Sequence, residues 1–323
     1  MDEFSLINTY FKSIEKKRKN VIVGIGDDAA CLQVPQGMQL LVSTDTLIAN
    51  VHFLSEWDPY DIAAKAVRVN VSDIAAMGGT PCWVLLALTL PECDDKWLER
   101  FSSGLHDSLK QYDLSLVGGD TTRGPLSMTL TIHGFVPKGS FILRNGAKPG
   151  DIIYVSGELG AAALAVKDLS CQKMKDSDKT IAMNKLLYPE PRVDFCSILQ
   201  SFATAAIDVS DGLSADLSHI CEESHVGASL FLEDIPVHGL VQQYLGKNAL
   251  DFALNGGDDY ELCFTVSPEN EAHLLEGLKL AGLSGYRIGV IEEQLGLRGQ
   301  MPSGKRVPIV ARGYNHFTRS ERD

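Results

Sequence analysis

Apolar positions open the chain at helical spacing: Phe4, Leu6, Ile7, Tyr10, Phe11 and Ile14 share one stripe before Glu15 to Lys19 turns polar, which predicts an amphipathic helix. Apolar runs at Val21 to Val23, Gln39 to Val42, Cys82 to Leu90 and Leu114 to Val117, with the alternating run Ser127 to Val136, predict strands. Asp58-Pro59 caps an alanine-rich helix running toward Met77, with Asp73 in or near its last turns, and Asp94-Asp95 precedes a helix carrying Trp97, Phe101 and Leu105. After the turn cluster Gly146 to Asp151 the pattern restarts. Strands are expected at Ile152 to Ser156, Ala205 to Val209, Ala228 to Leu232, Tyr260 to Val266 and Tyr286 to Ile291. Helices are expected after Gly157 to Gly160, after Pro189 to Arg192, over Leu213 to Ser224 and over Glu269 to Ala281. Cys171 to Lys179 reads as a polar connection, and Val307 to Phe317 mixes strand and loop signals.

Such alternation of strands and helices predicts an α/β (α+β) chain. At 323 residues it exceeds what one core usually organises, so two domains are expected, residues 1–137 and 138–323. No apolar run reaches membrane-span length, and Met1-Asp2-Glu3-Phe4 lacks the basic-then-apolar pattern of a signal peptide, so the expected place is the cytoplasm and not a membrane. The seven scattered cysteines show no metal or redox spacing and are expected to be reduced. A net charge of −13 argues against nucleic-acid binding.

What organises the chemistry is a recurring aspartate beside glycine, serine or threonine. It appears in Gly24-Ile25-Gly26-Asp27-Asp28, Ser43-Thr44-Asp45-Thr46, Val71-Ser72-Asp73, Gly118-Gly119-Asp120-Thr121-Thr122, Asp208-Val209-Ser210-Asp211-Gly212 and Gly256-Gly257-Asp258-Asp259. These read as six loops, four of them directly after a predicted strand, so one framework can gather their tips. Gathered carboxylates repel one another, and a hard divalent cation such as Mg²⁺, held with phosphates and water, relieves that repulsion. This is a vocabulary for phosphate transfer. A P-loop, a complete dinucleotide fingerprint and a nucleophile elbow are all missing. Of eight histidines only His52, close after Ser43 to Thr46, suggests a ligand contact. The short likenesses between Val71-Ser72-Asp73 and Val209-Ser210-Asp211, and between the two Gly-Asp-Asp turns, hint at related halves.

These motifs, with Glu3-Phe4-Ser5-Leu6-Ile7, Val51-His52-Phe53, Asp259-Tyr260-Glu261-Leu262 and Gly313-Tyr314, resemble the thiamine-monophosphate kinase family, in the ATP-binding superfamily of aminoimidazole ribonucleotide synthetase and selenophosphate synthetase. The resemblance spans nearly the whole chain. It implies a two-domain PurM-like fold whose N-terminal domain binds ATP and metal and pairs across a homodimer, with a C-terminal α/β domain. It implies phosphorylation of thiamine monophosphate by ATP through direct in-line transfer, with several Mg²⁺ ions. By motif, Asp28, Ser43, Thr44, Asp45, Asp73, Asp120, Asp208 and Asp211 are the implied metal ligands. Gly119, Asp120, Arg144 and Ser210 are the implied ATP contacts, and His52, Asp258 and Tyr314 those to the thiamine compound. No residue is assigned as acid or base; Asp45, Asp120 and Arg144 act electrostatically. Many relatives carry Glu where this chain has Asp258. The alternatives are another ATP-using enzyme of the superfamily, such as an amidine-forming ligase, and a non-enzymatic nucleotide or divalent-cation binding module.

Overall fold

The computed structural model describes residues 2–14 and 18–314. The expectations for 15–17 and for the tail at 315–317 lie outside the described residues. The chain divides into two compact units, Met1–Phe141 and Ile142–Asp323.

In the first unit α1 (Glu3–Leu6) starts at Asp2, whose side chain accepts from the Ser5 backbone N–H, and continues as a wide turn over Ile7–Phe11. The predicted apolar stripe is real, with Leu6, Tyr10 and Phe11 buried, but it is wound on less regular backbone than a single α-helix. A ribbon of β1 (Val21–Val23) and β2 (Cys31–Leu32) brackets the Gly24 to Ala30 turn. Then come β3 (Met38–Ile48), α2 (Pro59–Ala76), β4 (Thr80–Leu90), α3 (Asp95–Gln111), β5 (Ser115–Arg123) and β6 (Ser127–Pro137). The four long strands form a sheet in the order β3-β6-β4-β5, antiparallel except for the parallel pair β4–β5.

Alternate residues decide the two faces of that sheet. Leu41, Leu47, Leu86, Leu130 and Ile132 are buried on the face that α2 covers. On the other face Val42, Thr44 and Thr46 are exposed, and the β1–β2 ribbon packs at one end, against Cys82, Trp83 and Val117. Two of the expected loops prove to be strand. β3 runs on through Ser43 to Thr46 because it pairs with β6 without interruption from Met38↔Pro137 to Ile48↔Ser127, and β5 runs on through Gly118 to Thr122 along β4. Continuous backbone pairing outweighs the poor strand propensity of Ser, Asp and Gly.

The second unit contains β7 (Ile152–Val155), α4 (Ala161–Cys171), α5 (Asp176–Leu187), α6 (Cys196–Phe202), β8 (Ala203–Val209), α7 (Leu213–Ser224), β9 (Gly227–Phe231), α8 (Gly239–Leu245), α9 (Ala249–Asn255), β10 (Glu261–Val266), α10 (Glu271–Ala281), β11 (Tyr286–Glu292), β12 (Gly296–Gln300) and β13 (Arg306–Ile309). Its seven-stranded sheet has the order β13-β12-β9-β11-β7-β10-β8, a different topology from the first unit's. Ile153, Val155, Ile207, Leu217, Ile220, Cys263 and Ile288 form the centre of its core. Helix α5 begins inside the stretch expected to be connection, and α8, α9 and β12 were not expected; each spans at most two turns or five residues, too short to show a period. All seven cysteines are free thiols, and burial pushes those of Cys82, Cys196 and Cys221 up to about 12, which leaves them inert.

Candidate functional site

In the first unit the predicted residues converge where β3 passes over the end of α2. Ser43 and Asp45, two apart on a strand, share the face that looks toward α2, and the Ser43 hydroxyl donates to Asp73 Oδ2 at 2.6 Å. Burial, and then the charge of Asp73, push the Asp45 carboxyl up to about 6. Two carboxylates and a hydroxyl that crowd in this way form an oxygen-only donor set suited to a hard cation. Among the described residues, however, no group of three or more His, Cys, Asp or Glu side chains could hold an ion. A cation here would take its remaining ligands from hydroxyls, backbone carbonyls, water or phosphate.

The other predicted ligands of this unit are spread out. Thr44 projects to the opposite face, where its hydroxyl meets the Leu130 carbonyl and the Thr131 hydroxyl, both at 3.1 Å. Asp28 is exposed in the β1–β2 turn, its backbone N–H bonded to Asp27 Oδ1 at 2.9 Å. Asp120 stands on the rung Thr46–Thr129–Ala87–Asp120, whereas Asp45 stands on the next, Asp45–Leu130–Leu86–Gly119. Neighbouring rungs face opposite sides, and β3 and β5 are opposite edges of the sheet, so roughly 14 Å separates the two aspartates' backbones. Gly119 is required at its place, since a Cβ there would run into the Leu86 backbone carbonyl. His52 follows β3, and its Nδ1 accepts from the Ile48 N–H at 3.0 Å. That bond leaves the ring proton on Nε2, as a donor.

In the second unit Ser210-Asp211-Gly212 forms the turn from β8 into α7, and Gly256 to Tyr260 runs beside it. The Asp258 N–H donates to the Ser210 carbonyl and the Tyr260 N–H to the Val209 carbonyl, each at 2.8 Å. Asp258 (φ 69°) and Tyr260 (φ 51°) both lie in the left-handed region, where side chains other than glycine's are strained. The C-terminal segment completes the cluster. The Tyr314 N–H donates to the Asp211 carbonyl at 3.3 Å, and Ser214 Oγ accepts from Arg312 N at 3.1 Å while lying 2.7 Å from Asn255 Oδ1. Ser210, Asp211, Asp258 and Tyr314 are thus brought together. Asp208 is buried two residues earlier in β8. Arg144 is apart: its carbonyl accepts from Ser224 Oγ at 3.1 Å, at the far end of the 12-residue α7.

Three further carboxylate or hydroxyl groups hold this cluster: Asp259, which stands in one of the aspartate motifs without an assigned role, and Asp216 and Ser214, which the sequence motifs do not single out. Asp216, buried in the first turn of α7, accepts from the Asp211 and Gly212 N–H groups at 3.1 and 3.0 Å, and burial followed by Asp211 pushes it up to about 7. Asp259 accepts from the Gly160 N–H, at 3.0 and 2.8 Å to its two oxygens, at the start of α4; burial raises its pKa well above the usual range. Ser214 is the third. An acid in the first turn of a helix that lacks a capping side chain was the available signal for Asp216.

Residues 26–136 match the AIR synthase related protein N-terminal domain and residues 148–301 the corresponding C-terminal domain. The thiamine-monophosphate kinase of Escherichia coli (strain K12) is 46% identical over 318 residues, which cover 98% of each chain. The crystal structure of thiamine-monophosphate kinase from Stenotrophomonas maltophilia K279a has a TM-score of 0.85 at 42% identity, covering 93% of this chain and 96% of that one. A structure of AaThiL complexed with AMPPCP and TMP has a TM-score of 0.78 at 32% identity, covering 98% and 97%.

Proposed function

Since the chain belongs to the thiamine-monophosphate kinase family of AIR synthase-related proteins, we infer that it phosphorylates thiamine monophosphate with ATP, giving thiamine diphosphate and ADP by direct in-line transfer. The observation that carries the reading is the likeness, over 98% of the chain, to a protein solved with an ATP analogue and TMP. The residues agree with it chemically. A phosphate monoester with its second pKa near ~6 is already largely ionised at neutral pH, so the acceptor needs no base, and none is assigned. The obstacle is the meeting of two anions. Mg²⁺ fits the oxygen donors Ser43, Asp45 and Asp73, and when bound it would offset the repulsion between the phosphate chains; Thr44, on the opposite face, and Asp28 and Asp120, set apart from them, do not complete that donor set within one copy. Gly119, Ser210 and Arg144 bind the nucleotide, Arg144 as a fixed positive charge. His52 offers Nε2–H to the acceptor, and Asp258 with Tyr314 suits its cationic thiazolium.

The same reading makes the protein a cytoplasmic homodimer. No helix among the described residues is long and apolar enough to cross a membrane. The uncovered sheet face presents Met38, Leu40 and Val42, the last 57% exposed, which a second copy's sheet would bury. Asp45 and Asp120 stand on opposite edges and faces of one sheet, so a single copy cannot clamp one ion between them.

Incubation with ATP, Mg²⁺ and thiamine monophosphate should produce ADP and thiamine diphosphate. ADP formation only with an amide or formylated acceptor would favour the ligase alternative, and nucleotide binding without turnover the binding module. Val42→Arg should yield a particle of half the mass by sedimentation, with loss of turnover.

A further inference from the structure

Strand β10 is buried along its whole length, yet it begins with a carboxylate. Glu261 receives a complete fork from Arg192, Nε to Oε2 at 2.6 Å and Nη2 to Oε1 at 2.5 Å. The Ser156 hydroxyl also donates to Oε2 at 2.5 Å, and Ser156 Oγ in turn accepts from the Leu262 N–H at 2.7 Å. There is no slack around the group, since a Cβ on Gly157 would run into the Glu261 carboxylate. A buried ion pair adds little stability over an apolar pair of the same shape, but it fixes direction, and the planar fork of arginine does so in two bonds at once. Arg192 is itself carried on the stiff segment Pro189-Glu190-Pro191, where two fixed φ angles limit its motion.

What this bracket holds is the backbone next to it. Glu261 directly follows Asp258-Asp259-Tyr260, the segment with two left-handed residues. Such a conformation persists only where the surroundings over-determine it. One side is set by the bonds of Asp258 N and Tyr260 N to β8, and the middle by Asp259 on Gly160. The bracket sets the other side.

We propose that Arg192, Glu261 and Ser156 are positioning residues for acceptor binding, acting through the backbone of Asp258 to Tyr260; this rests on the reading that Asp258 contacts thiamine monophosphate. Arg192→Lys keeps the charge and loses the fork, and should raise KM for thiamine monophosphate about tenfold, with KM for ATP unchanged within about twofold. Ser156→Ala, a milder change that preserves the ion pair, should act in the same direction by less and serves if Arg192→Lys does not fold. The deciding measurement is each substitution repeated in an Asp258→Ala background, where acceptor KM should rise no further, because both act on one contact. An equal multiple in both backgrounds, a parallel rise in ATP KM, or a change in melting temperature alone overturns the proposal. If Asp258→Ala raises acceptor KM and the bracket substitutions do not, the bracket alone is refuted. If Asp258→Ala leaves acceptor KM unchanged, the assignment of Asp258 falls and the bracket's purpose with it.

Discussion

Apart from Asp28, on a turn of the first unit, and Asp208, within a strand of the second, the two units hold their acidic residues by opposite means. In the first, Ser43, Asp45 and Asp120 sit within long strands and Asp73 within an 18-residue helix, so the repeating backbone aims them. In the second, Ser210, Asp211 and Asp258 sit on turns, aimed by a second layer of buried groups, Asp216, Asp259, Ser214 and the Arg192–Glu261 pair. A carboxylate on a strand or helix needs no dedicated support, because its neighbours in the element share the load. One on a turn needs supporting groups, and these must themselves be buried and bonded. Substitution in the first unit should therefore act on the reaction directly, and in the second through shape.

The largest effect is expected at Asp45 and Asp120. Asp45→Asn or Asp120→Asn should each lower kcat on the order of a thousandfold with an unchanged circular dichroism spectrum, as loss of a principal electrostatic contact does. If the pair is completed between copies, refolding the two inactive variants together at equal amounts should restore about a quarter of the wild-type rate, because half the dimers are mixed and one of their two sites is intact. No recovery, with mixed dimers shown to form, would return the two residues to one chain.

A smaller effect is expected at Ser214, which ties Arg312 and Asn255 beside the Asp211 turn. Ser214→Ala should raise KM for thiamine monophosphate several-fold, about 1 kcal/mol in binding, with kcat near normal, since only the seat of Tyr314 loosens. A fall in kcat at unchanged KM would place Ser214 in the first unit's class of direct contributors.

The smallest is a matter of pH. Asp259 has its folded pKa raised, so the folded state holds a proton that the unfolded chain releases near the ordinary carboxylate pKa of 3.8. Its contribution to stability is full below that value and is lost as pH rises toward the raised folded pKa. Asp259→Asn keeps an acceptor for Gly160 and should flatten the melting temperature across this range. An unaltered slope would show that another group titrates there.

Much of this was legible in the sequence, and the reasons differ by element. Helix α7 falls over Leu213 to Ser224 as expected, because a glycine, an apolar stripe and the left-handed His225 bound it sharply. Ser43 to Thr46 and Gly118 to Thr122 were misread as loops, because local propensity cannot show that a partner strand continues alongside. The aspartates were found by their repeated company of Gly, Ser and Thr, whereas Asp216, Glu261 and Arg192 gain meaning only from residues distant in sequence. Thr44 illustrates the limit: its position beside Asp45 is plain, but strand alternation sends the two side chains apart.

Strand β7 lies between β10 and β11, pairing Val155 with Cys263 on one side and with Tyr286 on the other. During synthesis the first unit's sheet is complete once β6 has emerged, but Ile152 to Val155 must wait for partners made near the end of the chain. Until those partners are made, the strand Ile152-Ile153-Tyr154-Val155 has both edges unpaired. Truncation before β10 would leave that strand permanently unpaired, so interrupted translation should yield an aggregating fragment in which the first unit alone is folded.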